Sequence, residues 1–360
     1  MVERPEPLFE PVPDSALHDV RIEGTRPLIS PALLADALPM SRPAQEVVLR
    51  GRRRASAVLR GEDERLLVVV GPCSVHDPAA AYEYARRLAE LRDRLDDRLL
   101  IVMRVYFEKP RTTIGWKGLL NDPHLDGSYM VNEGLQIGRR LMLDILELGL
   151  PVGGEFLDPI SAQYFADLVS WGSIGARTAE SQIHRQLSSG LSMPVGIKNG
   201  TDGEVQVAID ACAAASTPHV FTGINQDGLA SIFWTRGNAD CHVILRGGTR
   251  GPNYDARSVD TALRRMVEVG QPARLLVDAS HGNSGKDFRR QPAIVRDVVA
   301  QRAAGRRGIV GVMLESFLVE GKQDLVLGHT DGLRYGQSVT DPCLGWEETA
   351  DLLCEMAETL

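Results

Sequence analysis

From residue 65 onward, short apolar runs of strand type recur along the chain: RLLVVVGP, LLIVMRVYF, GLPVGGEFLD, WGSIGAR, MPVGIKNG, PHVFTGI, CHVILRGG, RLLVDASHG and GIVGVMLES. Amphipathic helical patterns, such as AAAYEYARRLAELRDRL and GLQIGRRLMLDILELGL, separate several of them. Strands that are apolar on consecutive positions have both faces covered, the condition of a parallel sheet whose connections are helices. Eight such units in succession predict an α/β fold, a closed (β/α)8 barrel. Nine runs compete for those eight places. The odd one is PHVFTGI, which leads through turn chemistry at Asn225 to Gly228 into a second β-type run, SIFWT. Residues 218–237 are therefore expected to form a β-hairpin inserted before the sixth strand. Ahead of the barrel, an extended start and two short helices, over 30–39 and 45–61, are expected. Residues 1–62 then make an N-terminal extension serving assembly or regulation, and 63–360 the catalytic barrel.

Charge and cysteine usage narrow the setting. A net charge of −8 and a pI near 5.6 argue against a nucleic-acid partner. The one basic run, RGRRR at 50–54, sits among apolar positions of a helical pattern and reads as a solvated helix face. Cys73, Cys212, Cys241, Cys343 and Cys354 are dispersed and odd in number, which is not a disulfide framework. The N-terminus, MVERPEPLFEPVPDS, has acids and prolines where a signal peptide needs an apolar core. No run approaches the roughly 18 apolar residues of a membrane span. The expectation is a soluble, reduced, cytoplasmic protein.

In a barrel of this kind the C-terminal strand ends line one face, and that face carries the chemistry. Read in order, the strand ends supply Cys73, then Arg104 with Lys109 and Arg111, then Glu155, Arg177, Lys198, Arg246, His281 and Glu315. A closing segment, SVTDPCLGW, adds Asp341. Taken singly, each has an ordinary structural explanation, a surface ion pair for an arginine or a small buried apolar group for a cysteine. Together they place at least five cations at one mouth, which is costly unless an anion binds there. Cys73, His281, Glu315 and Asp341 make an S, N, O, O ligand set that suits Mn²⁺, Fe²⁺, Co²⁺ or Zn²⁺ better than Mg²⁺. His76 and Cys343 are weaker candidates, His76 being expected to cap or pair locally. The cations exceed what one phosphate needs and suit two phosphorylated substrates, one also carrying a carboxylate. GGTRG and GLQIG lack the strand-to-helix context of a nucleotide loop.

At these residues the chain resembles the type I 3-deoxy-D-arabino-heptulosonate 7-phosphate (DAHP) synthases, which open the shikimate pathway. The resemblance is carried by GPCSVHDP, MRVYFEKPRTTIGWKGLLNDPHLDGS, SWGSIGARTAESQIHRQLSSGLSMPVGIKNGTDG, HVILRGG, DASHGNS, GVMLESFLVEG and SVTDPCLGW, and covers the chain from about residue 20 to the end. It implies a homo-oligomeric barrel, dimer or tetramer, that condenses phosphoenolpyruvate with erythrose 4-phosphate. It implies that Cys73, His281, Glu315 and Asp341 hold a divalent metal. Arg104, Lys109, Arg177, Lys198 and Arg246 match phosphoenolpyruvate-binding positions, and Glu155 stands with the substrate-binding strand ends. Lys109, Pro110, Arg111 and Thr112 match the erythrose 4-phosphate segment.

On this reading the metal polarises the aldehyde, phosphoenolpyruvate attacks through C3, and water adds at C2 as phosphate leaves. Lys109, its pKa lowered by Arg104 and Arg111, is expected to protonate the new alkoxide. Rival readings are a related synthase using arabinose 5-phosphate, a class II aldolase, and a barrel kept only as a binding partner. The resemblance also implies feedback control by an aromatic amino acid at a cavity that includes Pro159, Gln163 and Ser192. Pro159 and GINQ at 223–226 look more like the tyrosine-sensitive branch than the phenylalanine-sensitive one.

Overall fold

The structure is a computed structural model that describes residues 10–11, 17–111 and 115–360. Eight parallel strands close into a barrel in chain order: β1 (Leu66–Gly71), β2 (Leu99–Arg104), β3 (Val152–Glu155), β4 (Trp171–Ile174), β5 (Val195–Lys198), β6 (His242–Leu245), β7 (Leu275–Asp278) and β8 (Ile309–Glu315). β8 pairs with β1 through Met313 and Val69, and β1 with β2 through Val69 and Val102, so the ring is continuous. The alternation of the pleat sorts the apolar runs into two sets. Leu66, Val68 and Val70 face the surrounding helices, while Leu67 and Val69 pack inside the barrel with Leu100, Val102, Trp171, Ile244, Leu276 and Met313.

The helices begin where the local chemistry allows. Helix α1 (Pro31–Ala37) is capped by Ser30, and α2 (Arg42–Arg60) by Ser41, whose Oγ accepts from the Ala44 N–H. Thus α2 starts three residues before the expected boundary, at a Ser-x-Pro signal, and spans 19 residues. Its Ala55, Val58 and Leu59 join the interior cluster and close the bottom of the barrel, opposite the strand ends that carry the charged groups. Arg52 is tied to the carbonyls of Ala166 and Val169, and Arg54 to Asp96, so part of the basic run serves the protein's own packing. After β1, Asp77 caps helix α3 (Pro78–Leu95) by accepting from the N–H groups of Ala79 and Ala80. The cap assigned to His76 therefore belongs to its neighbour: His76 is buried, edge-on to Phe317, with Nδ1 unpartnered.

The hairpin pairs Val220–Ile224 with Ala230–Trp234 outside the barrel, in antiparallel register. One of its faces stacks Phe221 on Phe233, while the other exposes Val220, Ile232 and Trp234, the last by 74%. Its tip meets the extension, where the Ala32 N–H donates to the Gln226 carbonyl. Among the described residues no helix is long and apolar enough to cross a membrane, and all five cysteines are free thiols.

Candidate active site

The strand ends meet as expected, and the way each is held explains its charge state. Gly71 ends β1 with φ of +155°, and a Cβ there would stand 2.6 Å from the Arg104 carbonyl oxygen. Its absence lets the strand end turn against β2. Arg104 is buried. It donates to the carbonyls of Pro72 and Cys73, to Glu315 at 2.8 Å, and lies 3.9 Å over the Tyr106 ring. Burial opposes its charge and Glu315 restores it, so it stays a cation. Gln291 grips the backbone of Glu315 from both sides, accepting from its N–H and donating to its carbonyl, which fixes the end of β8.

Cys73 Sγ and one oxygen each of Glu315 and Asp341 lie within 4.8 Å of one another. Cys73 Sγ is 3.7 Å from Asp341 Oδ2, and His281 Nε2 is 3.7 Å from Glu315 Oε1, at the edge of the same group. A soft sulfur, an imidazole nitrogen and two carboxylates, from three strand ends and the closing segment, are a donor set for a borderline divalent metal. Burial, then Glu315, pushes the Cys73 thiol up to about 11, while His281, Arg104 and Lys109 overcome burial to hold the Glu315 carboxyl below its usual range. Cys343, also buried, has its Sγ 3.6 Å from the backbone carbonyl of Asp341 and lies outside the group.

The cations ring a cavity of about 280 Å³ beside this cluster, lined by Arg104, Lys109, Pro110, Arg111, Glu155, Arg177, Lys198, Arg246, His281, Lys286 and Asp341 among others. Thr112 falls outside the described residues. Lys109 is fixed by its N–H bond to the Lys117 carbonyl across a short antiparallel bridge. That bridge needs Gly118, where φ is +116° and a Cβ would collide with the Phe107 carbonyl oxygen. The expected lowering of the Lys109 pKa is not found. Burial and Arg104 do lower it, but Cys73, Glu315 and Asp341 outweigh them and raise it above the ordinary lysine value. The groups that outweigh the neighbouring arginine come from β8, the closing segment and the turn after β1, far from Lys109 along the chain.

Asp278 and three asparagines were not singled out from sequence. Asp278, fully buried at the end of β7, has Oδ2 at 2.8 Å from His281 Nδ1 and 3.1 Å from Lys198 Nζ. As a carboxylate it favours the proton on Nδ1 and leaves Nε2 facing Glu315, the orientation a ligand histidine requires. Asn199, Asn253 and Asn283 link the loops after β5, β6 and β7. Asn199 accepts from the Arg246 N–H, Asn253 from the Gly247 N–H, and Asn283 donates to the Leu245 and Asp278 carbonyls. The only sequence signal was their place after strands, in KNG, GPNYD and HGNS. Of the residues assigned to a regulatory cavity, Pro159 and Ser192 are exposed, and Gln163 accepts from the hairpin residue Gln226 at 3.0 Å.

This geometry agrees with comparison to known proteins. The profile of the DAHP synthetase I family matches residues 42–354. The chain belongs to the DAHP synthetase I family. The activity that goes with it is that of a phospho-2-dehydro-3-deoxyheptonate aldolase, a DAHP synthase. The Phe-sensitive enzyme of Escherichia coli K12 is 53% identical over 342 residues, covering 95% of this chain and 97% of its own. The Tyr-sensitive enzyme of the same organism is 52% identical over 345 residues, covering 96% of each chain. The solved phospho-2-dehydro-3-deoxyheptonate aldolase of Francisella tularensis superimposes with a TM-score of 0.92 at 47% identity, covering 94% of this chain and 98% of its own.

Proposed function

We propose that the barrel mouth condenses phosphoenolpyruvate with erythrose 4-phosphate and water to give DAHP and phosphate, with the following division of labour. Arg104, Lys109, Arg177, Lys198 and Arg246 take the phosphate and carboxylate of phosphoenolpyruvate, guanidinium forks and ammonium groups matching its oxygens. Lys109, Pro110, Arg111 and Thr112 form the edge that receives erythrose 4-phosphate. A divalent metal, one of Mn²⁺, Fe²⁺, Co²⁺ or Zn²⁺, held by Cys73, His281, Glu315 and Asp341, would supply Lewis acidity to the aldehyde oxygen when bound. Asp278 holds the proton on His281 Nδ1 and pairs with Lys198, so it orients one group of each kind. Lys109 Nζ, kept protonated, is a fixed cation beside the carbon–carbon bond-forming centre, and it can give its proton to an alkoxide, a much stronger base. Glu155 lines the same cavity and stands with the substrate-binding groups.

The observation that carries this reading is the cationic cavity whose wall includes Asp341 of the Cys73–Glu315–Asp341 group and His281 beside it. Phosphate release from phosphoenolpyruvate, measured with erythrose 4-phosphate and with arabinose 5-phosphate, tests it. Turnover is expected with the four-carbon sugar alone, and turnover with only the five-carbon sugar would replace the substrate assignment.

The same reading includes feedback inhibition by an aromatic amino acid, at a cavity flanked by Pro159, Gln163, Ser192 and the hairpin. L-Tyrosine is placed ahead of phenylalanine on Pro159 and the GINQ stretch. Phe-sensitive and Tyr-sensitive relatives stand at nearly equal identity, which does not separate the two. Ser192→Phe should abolish the inhibition at little cost to uninhibited turnover. If neither amino acid inhibits the wild type, the extension and hairpin serve assembly alone. Five free thiols suit a reducing, cytoplasmic setting.

A further inference from the structure

We propose that Lys286 is a positioning residue for Asp341, holding one carboxylate oxygen so that the other faces the metal position. The inference rests on the metal reading above and concerns a residue to which that reading gives no part. Asp341 comes from the closing segment, not from a barrel strand, so no strand pairing fixes its side chain. Its two oxygens have different neighbours. Oδ2 is the one 3.7 Å from Cys73 Sγ, while Oδ1 is 3.3 Å from Lys286 Nζ. A carboxylate held at one oxygen by a cation cannot swing both oxygens toward solvent, and outer partners of this kind commonly set the orientation of metal ligands.

The backbone supports the same assignment. Lys286 has φ of +64°, in the left-handed region that disfavours side chains, and follows Gly285 at +63°. Its N–H donates to the His281 carbonyl at 2.9 Å, so this turn closes the short helix His281–Ser284 that carries another proposed ligand. The left-handed pair sends the Lys286 side chain across to Asp341, and Lys286 thereby links the β7 loop to the closing segment. As a mere surface pair the contact would have little value, since the lysine side chain is 58% exposed. A glycine would relax the backbone at this position. The chain instead places there a lysine whose charge meets the one ligand carboxylate that lacks a strand to hold it.

The test is Co²⁺ titration of the metal-free, full-length protein, read by thiolate-to-cobalt charge-transfer absorption and by calorimetry. Lys286→Met and Lys286→Gly should weaken Co²⁺ binding by about 10- to 100-fold, and Lys286→Arg should restore most of it. Lys286→Gly should melt no lower than wild type in the metal-free state, because it relieves the left-handed backbone, which separates positioning from a general loss of structure. Unchanged binding in both the Met and Gly variants would overturn the proposal. Tighter binding would also overturn it, since the lysine would then act as a repelling charge. Asp341→Asn, titrated in parallel, separates the two levels: if it too binds Co²⁺ like wild type, the metal assignment itself fails.

Discussion

Cys73 has no unusual chemistry of its own. It is a thiol kept neutral by burial and by Glu315, with its pKa up to about 11. Any metal it binds must displace that proton, so affinity should rise with pH, by about tenfold per unit for one proton released. Co²⁺ titrations at several pH values check this, and Cys73→Ala should remove the charge-transfer band while leaving the far-ultraviolet circular dichroism intact. A wild-type band in that variant would remove Cys73 from the site. Two cations that look equivalent in sequence should behave differently. Lys198 is buried against Asp278, whereas Arg177 is exposed on the cavity wall. Both alanine variants should raise KM for phosphoenolpyruvate, each losing a charge-assisted contact of about 1.5–3 kcal/mol. Lys198→Ala should also lower the melting temperature, because it removes one of the two cations that compensate the buried Asp278 charge and leaves only His281. Equal melting temperatures for the two variants would contradict the buried pair.

The loop carrying Lys109 is governed at the scale of the element. Glu108 is buried beneath it and accepts from Ser161 Oγ at 2.9 Å, which ties the loop after β2 to the segment after β3. Burial pushes its carboxyl up to about 7, against the lowering effect of the Ser161 bond. The folded protein therefore holds the Glu108 proton more tightly than the unfolded chain. This contribution to stability is complete below the ordinary glutamate range and is lost as pH rises through about 7, to a limit of about 3 kcal/mol. Glu108→Gln should flatten that part of the profile, as seen in melting temperatures between pH 5 and 8. A wild-type slope in the Gln variant would show that other groups set it. At α2, the N-cap Ser41 and the apolar stripe ending at Leu59 show a helix specified by local signals and then used as the floor of the barrel.

For the whole molecule, the exposed apolar face of the hairpin stands out. Val220, Ile232 and Trp234 lie on one side of a two-stranded sheet, close to a half-wrapped extension that exposes Leu17, Val20 and Leu33. We take this as the face on which a second copy docks, as the homo-oligomer reading requires. Trp234→Glu should shift the sedimentation coefficient to a smaller species while the barrel stays folded. An unchanged assembly would move the interface elsewhere on the surface.

The sequence by itself determined the barrel, its eight strands, the inserted hairpin and the strand-end residues that line the mouth. Each follows from a short-range rule: continuous apolar runs for two-sided burial, turn chemistry for the hairpin, and a charged or ligand-type residue at or just after the end of each run. What only the tertiary structure decided depends on which elements come together. Cys73 after β1, Glu315 of β8 and Asp341 of the closing segment surround Lys109 and raise its pKa, the reverse of what its neighbours along the chain suggest. Asp278 is one more acid at a strand end until the fold sets it between His281 and Lys198. His76, expected to cap or pair locally, is instead buried against Phe317, and the cap of α3 is made by Asp77. In each case the deciding interaction is between groups close in space, and its sign depends on burial and on partners that the order of residues does not record.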